Sequence, residues 1–184
     1  MRKCDFDYPD LNLTHRPRPK ADLIVEIFYA FAVLRKEGRV RSIGVSSFRV
    51  QHVENLAASP TTTPVVIQFE LCPYFQKAEL RKHHLGSNIQ TETWSPIGHG
   101  GALAEPLLVK MDLRESNQSA RVAVLWHLDL GNIAIPMSVH SDRMAGNIDA
   151  FAFALSRDRI SSIRDPDTGR RFGAKPSSIE GLQI

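Results

Sequence analysis

The feature that most constrains this chain is a regular alternation of short apolar runs with longer segments of helical period. Runs of strand length are followed by segments whose apolar residues lie three or four positions apart. The predicted strands are residues 10–14, 39–45, 65–69, 89–93 and 132–136. The predicted helices are residues 21–36, 50–58, 77–85, 105–115, 119–130 and 142–151. Because strands that alternate with helices build parallel sheets, the sequence predicts an α/β fold.

The length of the chain limits which α/β fold it can complete. No Gly-x-Gly-x-x-Gly motif follows the first predicted strand, so a Rossmann domain is poorly supported. A closed (β/α)8 barrel has eight units and typically about 250 residues, whereas this chain has 184 residues. The sequence therefore predicts a partial barrel, with one domain over residues 1–184 and a C-terminal tail over residues 165–184. Asp22 is placed to cap the first helix, and Gly38 follows its end.

Composition argues against several classes of partner. The net charge is +3 and no run of Lys and Arg is dense, which does not favour nucleic acid. The N-terminus has no apolar core of a signal peptide, and the longest apolar run, residues 23–34, is shorter than the about 20 residues that span a bilayer. Cys4 and Cys72 have no metal-binding spacing. We therefore expect a cytoplasmic protein with free thiols, and no metal, membrane or nucleic-acid partner.

Six segments together resemble the aldo-keto reductase family in their order and spacing. They are residues 5–17, 36–48, 66–76, 91–101, 125–139 and 142–156. The resemblance runs from the family's fourth barrel strand to its C-terminal tail, so we expect an N-terminally incomplete (β/α)8 TIM barrel with about five of eight units. It implies that NADPH binds across the C-terminal mouth and passes hydride to an aldehyde or ketone.

The catalytic set of the family is Asp, Tyr, Lys and His, and the resemblance assigns the histidine to His15. The other three lie on earlier units and have no counterpart in this sequence, so turnover is expected to be impaired. Apart from the resemblance, His15 also fits a strand-end residue bonded to backbone. Arg16 stands where the family has a Trp in the substrate pocket. This favours an anionic carbonyl substrate or marks a pocket that no longer functions.

The resemblance also implies a set of cofactor-binding residues. Ser46 and Gln68 match residues that hold the nicotinamide carboxamide, although capping of a following helix is an alternative role. Trp94 matches the aromatic residue on which the nicotinamide stacks, with a core position at the barrel rim as the alternative. The whole implied set is Ser46, Ser47, Gln68, Trp94, Ser95, Ile97, Ser138, Val139, Arg143 and Asn147.

The segment PMSVHSDR, residues 136–143, is typical of a phosphate site because it follows a strand and opens a helix. The resemblance implies contacts with the adenosine 2′-phosphate and adenine here. Met137 replaces a lysine that contacts this phosphate, while His140 and Gly146 replace a common Thr and Glu. We expect weaker NADPH binding and less preference over NADH.

Two hypotheses remain open from the sequence. The first is a portion of an NADPH-dependent carbonyl reductase. The alternative is a catalytically inactive partial barrel with residual nucleotide binding or a role in self-association. Five parallel strands without their partners leave two open sheet edges, which favours marginal stability and self-association of the isolated chain.

Overall fold

A computed structural model describes residues 7–17, 23–59, 63–104, 108, 119–152, 154–163 and 167–173. The strands are β1 (Leu11–Thr14), β2 (Ser42–Ser46), β3 (Val66–Glu70), β4 (Gln90–Trp94) and β5 (Ile133–Ala134). The α-helices are α1 (Ile24–Lys36), α2 (Val50–Ala57), α3 (Ala78–Gly86), α4 (Ser119–Asp129), α5 (Ser141–Ile148) and α6 (Arg157–Ser162). Two 3-10 helices cover Gly98–Ala104 and Asp149–Ala152.

The five strands form one sheet in the order β1-β2-β3-β4-β5. The pairs β1–β2, β2–β3 and β4–β5 are parallel. A parallel sheet whose strands follow chain order, with helices between them, is the architecture of a partial (β/α)8 barrel. The predicted fold class is therefore confirmed. Among the described strands, β1 and β5 each have a single neighbour.

The predicted elements fall close to the observed ones, with strand ends displaced by up to three residues. Gly38 follows α1 at a φ of +73°, as predicted for a left-handed residue after a helix end. The predicted cap Asp22 lies outside the described residues. The predicted helix 105–115 also lies outside them, except for Leu108, which is helical and buried.

The predicted helix 142–151 is wrong in its last turn, because α5 ends at Ile148 and a 3-10 turn follows. Arg121 contacts Asp149 at this point. Its guanidinium pairs with the Asp149 carboxylate at 2.8 Å and donates to the Asp149 backbone carbonyl, also at 2.8 Å. It therefore satisfies one of the carbonyls that a helix end leaves without an intrahelical partner. The short helix α6 was not predicted from the sequence.

The described residues form two compact units, each with its own core. The first contains those within Met1–Phe69 and Leu80–Gln90. In it, α1 packs on β1, β2 and α2. The fully buried side chains of Phe28, Ile43 and Leu56 fill the space between these elements. Burial of large aliphatic and aromatic side chains is the main stabilising contribution in such a layer.

The second unit contains the described residues within Glu70–Glu79 and Thr91–Ala174. Helix α4 is central to it and contacts both 3-10 helices, β5 and α5. Trp126 on this helix has no exposed surface. Burial also raises the pKa of the Cys72 thiol to about 11, so this cysteine is a neutral core residue near pH 7. No helix in the described ranges combines the length and apolar content needed to cross a membrane.

Candidate functional site

The proposed catalytic histidine lies directly after β1 in the first unit. His15 is exposed, and Arg16 is half-buried. The Nε and Nη1 atoms of Arg16 and the hydroxyl of Thr14 are buried, and none has a hydrogen-bond partner in the described structure. Buried polar groups are usually satisfied. Within the described part of the chain, the end of β1 therefore carries polar groups without hydrogen-bond partners.

The two residues assigned to the carboxamide are brought together by strand register. Ser46 ends β2, and its Cα pairs with that of Gln68 on β3. The Ser46 hydroxyl donates to Gln68 Oε1 over 3.2 Å. Ser46 is buried, while Gln68 is half-buried. An amide and a hydroxyl at this edge supply both donors and acceptors, which is what a carboxamide requires.

Ser47 continues the chain in a left-handed conformation, with a φ of +61°. Its backbone N–H donates to the carbonyl of Gln68 over 2.7 Å. Non-glycine residues are uncommon in this conformation, and Asn is several-fold enriched among them. The resemblance to the aldo-keto reductase family implies an Asn where this chain has Ser47, and Asn would suit this backbone conformation better than Ser.

Trp94 ends β4 in the second unit, where its indole is half-buried. Ser95 follows at a φ of +54°, and its hydroxyl lies 3.0 Å from Nε2 of His99. Ile97 is half-buried in the same loop. Three predicted cofactor residues, Trp94, Ser95 and Ile97, therefore lie close together on a tight turn at the end of β4.

His127 supports this turn, and the sequence analysis did not find it. It lies on α4 without exposed surface, and its Nε2 is 3.1 Å from the carbonyl oxygen of Pro96. Since a carbonyl only accepts, Nε2 carries the proton. The signal in the sequence was a histidine within an otherwise apolar segment (VAVLWHL), but this pattern does not indicate which residue it bonds.

The proposed phosphate loop between β5 and α5 is largely exposed. Val139 is 83% exposed, and Arg143 is also exposed. Ser138 and Asn147 are half-buried. Ser138 Oγ accepts the backbone N–H of His140 over 3.1 Å, which shapes the turn into the helix. The side chain of His140, the residue before α5, makes no capping hydrogen bond, so it leaves the first backbone N–H groups of this helix without a cap from that side chain.

A buried carboxylate in the second unit also escaped the sequence analysis. Glu70 ends β3 with 1% exposure and pairs with Arg171 at 2.7 Å. The signal was an acidic residue inside the apolar run VVIQFEL, which predicts either an edge or a buried partner. The sequence does not show that the partner lies about a hundred residues further on.

The described residues contain no group of three or more His, Cys, Asp or Glu side chains arranged to hold a metal ion. Tyr8 packs beneath the Arg41 guanidinium at 4.6 Å, Tyr29 is exposed on α1 and Tyr74 is buried.

The chain is similar in sequence to a known protein family and to several of its members. The Aldo/keto reductase family profile matches residues 1–107. The chain is 43% identical over 179 residues to an aldo-keto reductase of Mycolicibacterium smegmatis, covering 97% of this chain and 65% of that protein. It is 37% identical over 183 residues to methylglyoxal reductase DkgA of Escherichia coli K12, covering 98% of this chain and 66% of the relative.

A solved structure agrees with the sequence comparison. A mutant of Gox0644 in complex with NADPH has a TM-score of 0.90 and 40% identity, covering 95% of this chain and 65% of that chain. The chain thus spans slightly less than two thirds of the length of the relatives that it matches. A profile match over more than half of the sequence, together with this fold, identifies the chain as a member of the aldo/keto reductase family.

Proposed function

We propose that this chain binds NADPH and belongs to a reductase that transfers hydride to an aldehyde or ketone. The observation that carries the proposal is the in-register pair of Ser46 and Gln68 at the carboxyl ends of two parallel strands. Ligands of α/β barrels bind at this end of the strands. The cytoplasm is the setting that we propose for it.

The residues present are chemically suited to the cofactor. Ser46, Ser47 and Gln68 would hold the carboxamide, and Trp94 would offer an apolar face to the nicotinamide ring. Ser95 and Ile97 would follow the pyrophosphate. Ser138, Val139, Arg143 and Asn147 would hold the adenosine end, where the start of α5 favours an anion. When bound, NADPH supplies the hydride.

His15 would orient and polarise the substrate carbonyl, with Arg16 beside it in the pocket wall. The sequence has no counterpart of the family's Tyr, Lys and Asp, so no side chain here is assigned to protonate the developing alkoxide. We therefore propose cofactor binding with carbonyl reduction near background for these 184 residues.

Titration with NADPH, followed by calorimetry, tests the binding proposal. Gln68→Ala should weaken NADPH binding roughly tenfold, since it removes hydrogen bonds to the carboxamide and leaves polar groups unpaired. Gln51→Ala is the matched control, because Gln51 is exposed on α2 in the same unit. Wild-type protein that binds no NADPH, or equal behaviour of the two variants, would refute the proposal.

Exposed apolar side chains favour a second role in self-association. Tyr29 on α1 is 58% exposed, and Ile148 and Phe151 near α5 are 74% and 79% exposed. Exposed large apolar side chains mark association sites in many proteins. Sedimentation across a range of concentrations tests this role, and a clean monomer with a sharp cooperative melt would argue against it.

A further inference from the structure

The segment Arg171–Gly173 is fastened to the end of β3 by a single carboxylate. Glu70 Oε1 accepts the backbone N–H groups of Phe172 and Gly173 at 2.6 and 2.8 Å. Its Oε2 pairs with Nη2 of Arg171 at 2.7 Å. Hydrogen bonds to an ionised group are about twice as strong as neutral ones. We call this segment the strap.

The strap lies against the indole of Trp94. A Cβ added at Gly173 would collide with Cη2 of Trp94 and would come within 2.7 Å of Cζ3. Glycine at this position therefore lets the backbone approach the six-membered ring more closely than any other residue allows. The same added Cβ would be 3.3 Å from Oε2 of Glu70, so carboxylate, backbone and indole meet at one point.

The strap is also anchored on its other side. The Phe172 ring fills the space beside Gly98 and Gly101. An added Cβ would lie 2.8 Å from Cε2 of this ring at Gly98 and would collide with Cε1 at Gly101. These glycines belong to the 3-10 segment that follows the Trp94 turn. The Arg171 guanidinium lies 5.0 Å from the centre of the Phe75 ring. With both ends held, the strap limits where the Trp94 ring can lie.

We infer that Glu70 is a positioning residue for cofactor binding: through the strap, it fixes the orientation in which Trp94 meets the nicotinamide ring. The inference rests on the proposed function, which assigns Trp94 to that ring. Glu70 itself touches neither cofactor nor substrate. Losing the carboxylate frees the strap, so the indole gains freedom that must be lost again when the cofactor stacks on it.

The test first measures Trp94 without cofactor. The chain has two tryptophans, so two indole N–H signals are expected in a proton–nitrogen correlation spectrum, and Trp94→Phe assigns them. Glu70→Ala should shift or broaden the Trp94 signal and leave the Trp126 signal in place. Glu70→Gln keeps an acceptor oxygen for the strap and should have a smaller effect.

Gly173→Ala keeps the ion pair but places a methyl group against the indole, so it tests the contact even if a Glu70 variant fails to fold. Gly86→Ala is its matched control, because nothing lies within 4 Å of the added Cβ. Gly173→Ala should move the Trp94 signal, whereas Gly86→Ala should not.

The affinities for two ligands then distinguish effects at the nicotinamide end of the cofactor from effects at its adenosine end. Glu70→Gln and Gly173→Ala should weaken NADPH binding roughly five- to tenfold, in line with the value of one aromatic stacking contact. Both should leave the affinity for adenosine 2′,5′-bisphosphate unchanged, since that ligand has no nicotinamide.

The outcomes distinguish the inference from the proposed function. Wild-type protein that binds no NADPH refutes the function, and the positioning role with it. Wild-type binding with variants that leave the Trp94 signal or the NADPH affinity unchanged overturns the inference alone. Equal weakening of both ligands also overturns it, because it indicates general destabilisation.

Discussion

The proposed carboxamide pair, Ser46 and Gln68, and the proposed phosphate and adenosine loop, residues 136–143 (the adenosine loop), are built in different ways. Ser46 and Gln68 are held opposite each other by the register of two parallel strands, and Ser46 is 3% exposed. The adenosine loop follows a strand of two residues, and Met137 and Val139 within it are each 83% exposed. Backbone pairing fixes the first site, whereas side chains and one turn shape the second.

This difference bears on where the sequence departs from the family. Met137, His140 and Gly146 all replace common residues in or near the adenosine loop. Exposed positions tolerate substitution because few contacts are lost. Ser46 and Gln68 on the paired strands match the family pattern, although Ser47 directly after β2 departs from it. We expect substitutions in the paired strands to change the free energy of unfolding. Substitutions in the adenosine loop should instead change the affinity for the cofactor.

Gly44→Ala should have the largest effect, because it attacks the strand pairing. An added Cβ would collide with the carbonyl oxygen of Val66 and lie 2.7 Å from Cδ2 of Leu13. Overpacking of this kind costs about 2 kcal/mol in the free energy of unfolding. Urea unfolding should show a lower midpoint with an unchanged slope. Gly86→Ala should be neutral or stabilising, and equal stability of the two variants would contradict the comparison.

Met137→Lys tests the adenosine loop through its missing charge. An exposed lysine near the 2′-phosphate should tighten NADPH binding roughly fivefold, equal to about 1 kcal/mol for an exposed ion pair. NADH lacks this phosphate, so its affinity should not change. Titration calorimetry at two salt concentrations checks both values.

Met144→Lys is the control for this prediction, since it adds the same charge to α5 at a residue that is also exposed. An equal change for NADPH and NADH, or no change for either, would show that Met137 does not weaken phosphate binding. Equal gains from both lysines would indicate a general electrostatic attraction.

Ser47→Asn should relieve local strain after β2. Left-handed backbone costs a typical residue about 1 kcal/mol, and Asn adopts it more readily. We therefore expect stabilisation of about 0.5 kcal/mol by urea unfolding, together with tighter NADPH binding. Ser47→Ala serves as the comparison, because alanine offers neither benefit. Stability of the Asn variant below that of the Ala variant would contradict this reading of the backbone.

The strands of this fold and the residues at their ends could be predicted from the sequence. Period and length predicted the five strands, and two strands in parallel register bring Ser46 and Gln68 together as the family pattern implied. Gly38 at a helix end was predictable for the same local reason.

Long-range polar contacts were not accessible in this way. Nothing near Glu70 in the sequence indicates Arg171, and nothing near His127 indicates Pro96. Nothing near Asp149 in the sequence indicates that Arg121 bonds its carbonyl, where α5 gives way to a 3-10 turn. Such contacts depend on which loops meet after folding, whereas propensity and period describe only neighbours along the chain. The assignment of one domain to residues 1–184, and the roles of the site residues, stay predictions.

The smallest expected effect is on the pH dependence of stability, and it distinguishes the start of α2 from the start of α5. At α2, Nδ1 of His52 accepts the backbone N–H of Arg49 over 3.2 Å. The histidine at the start of α5, His140, is instead the N-cap residue itself, and its side chain makes no capping hydrogen bond. Burial, and secondarily the Arg49 charge, lower the pKa of His52 from 6.5. The folded protein therefore holds His52 neutral more strongly than the unfolded chain does.

A lowered pKa means that the unfolded chain binds the proton first as the pH falls. The stability contributed by neutral His52 should be fully present above about pH 6.5 and decrease below it. Urea unfolding at several pH values between 5 and 8 measures this small slope. His52→Asn, which keeps an acceptor but does not titrate, should flatten it. His140→Asn changes an N-cap residue whose side chain makes no capping hydrogen bond, and should not. If the two variants altered the slope equally, the capping bond at α2 would not be its source.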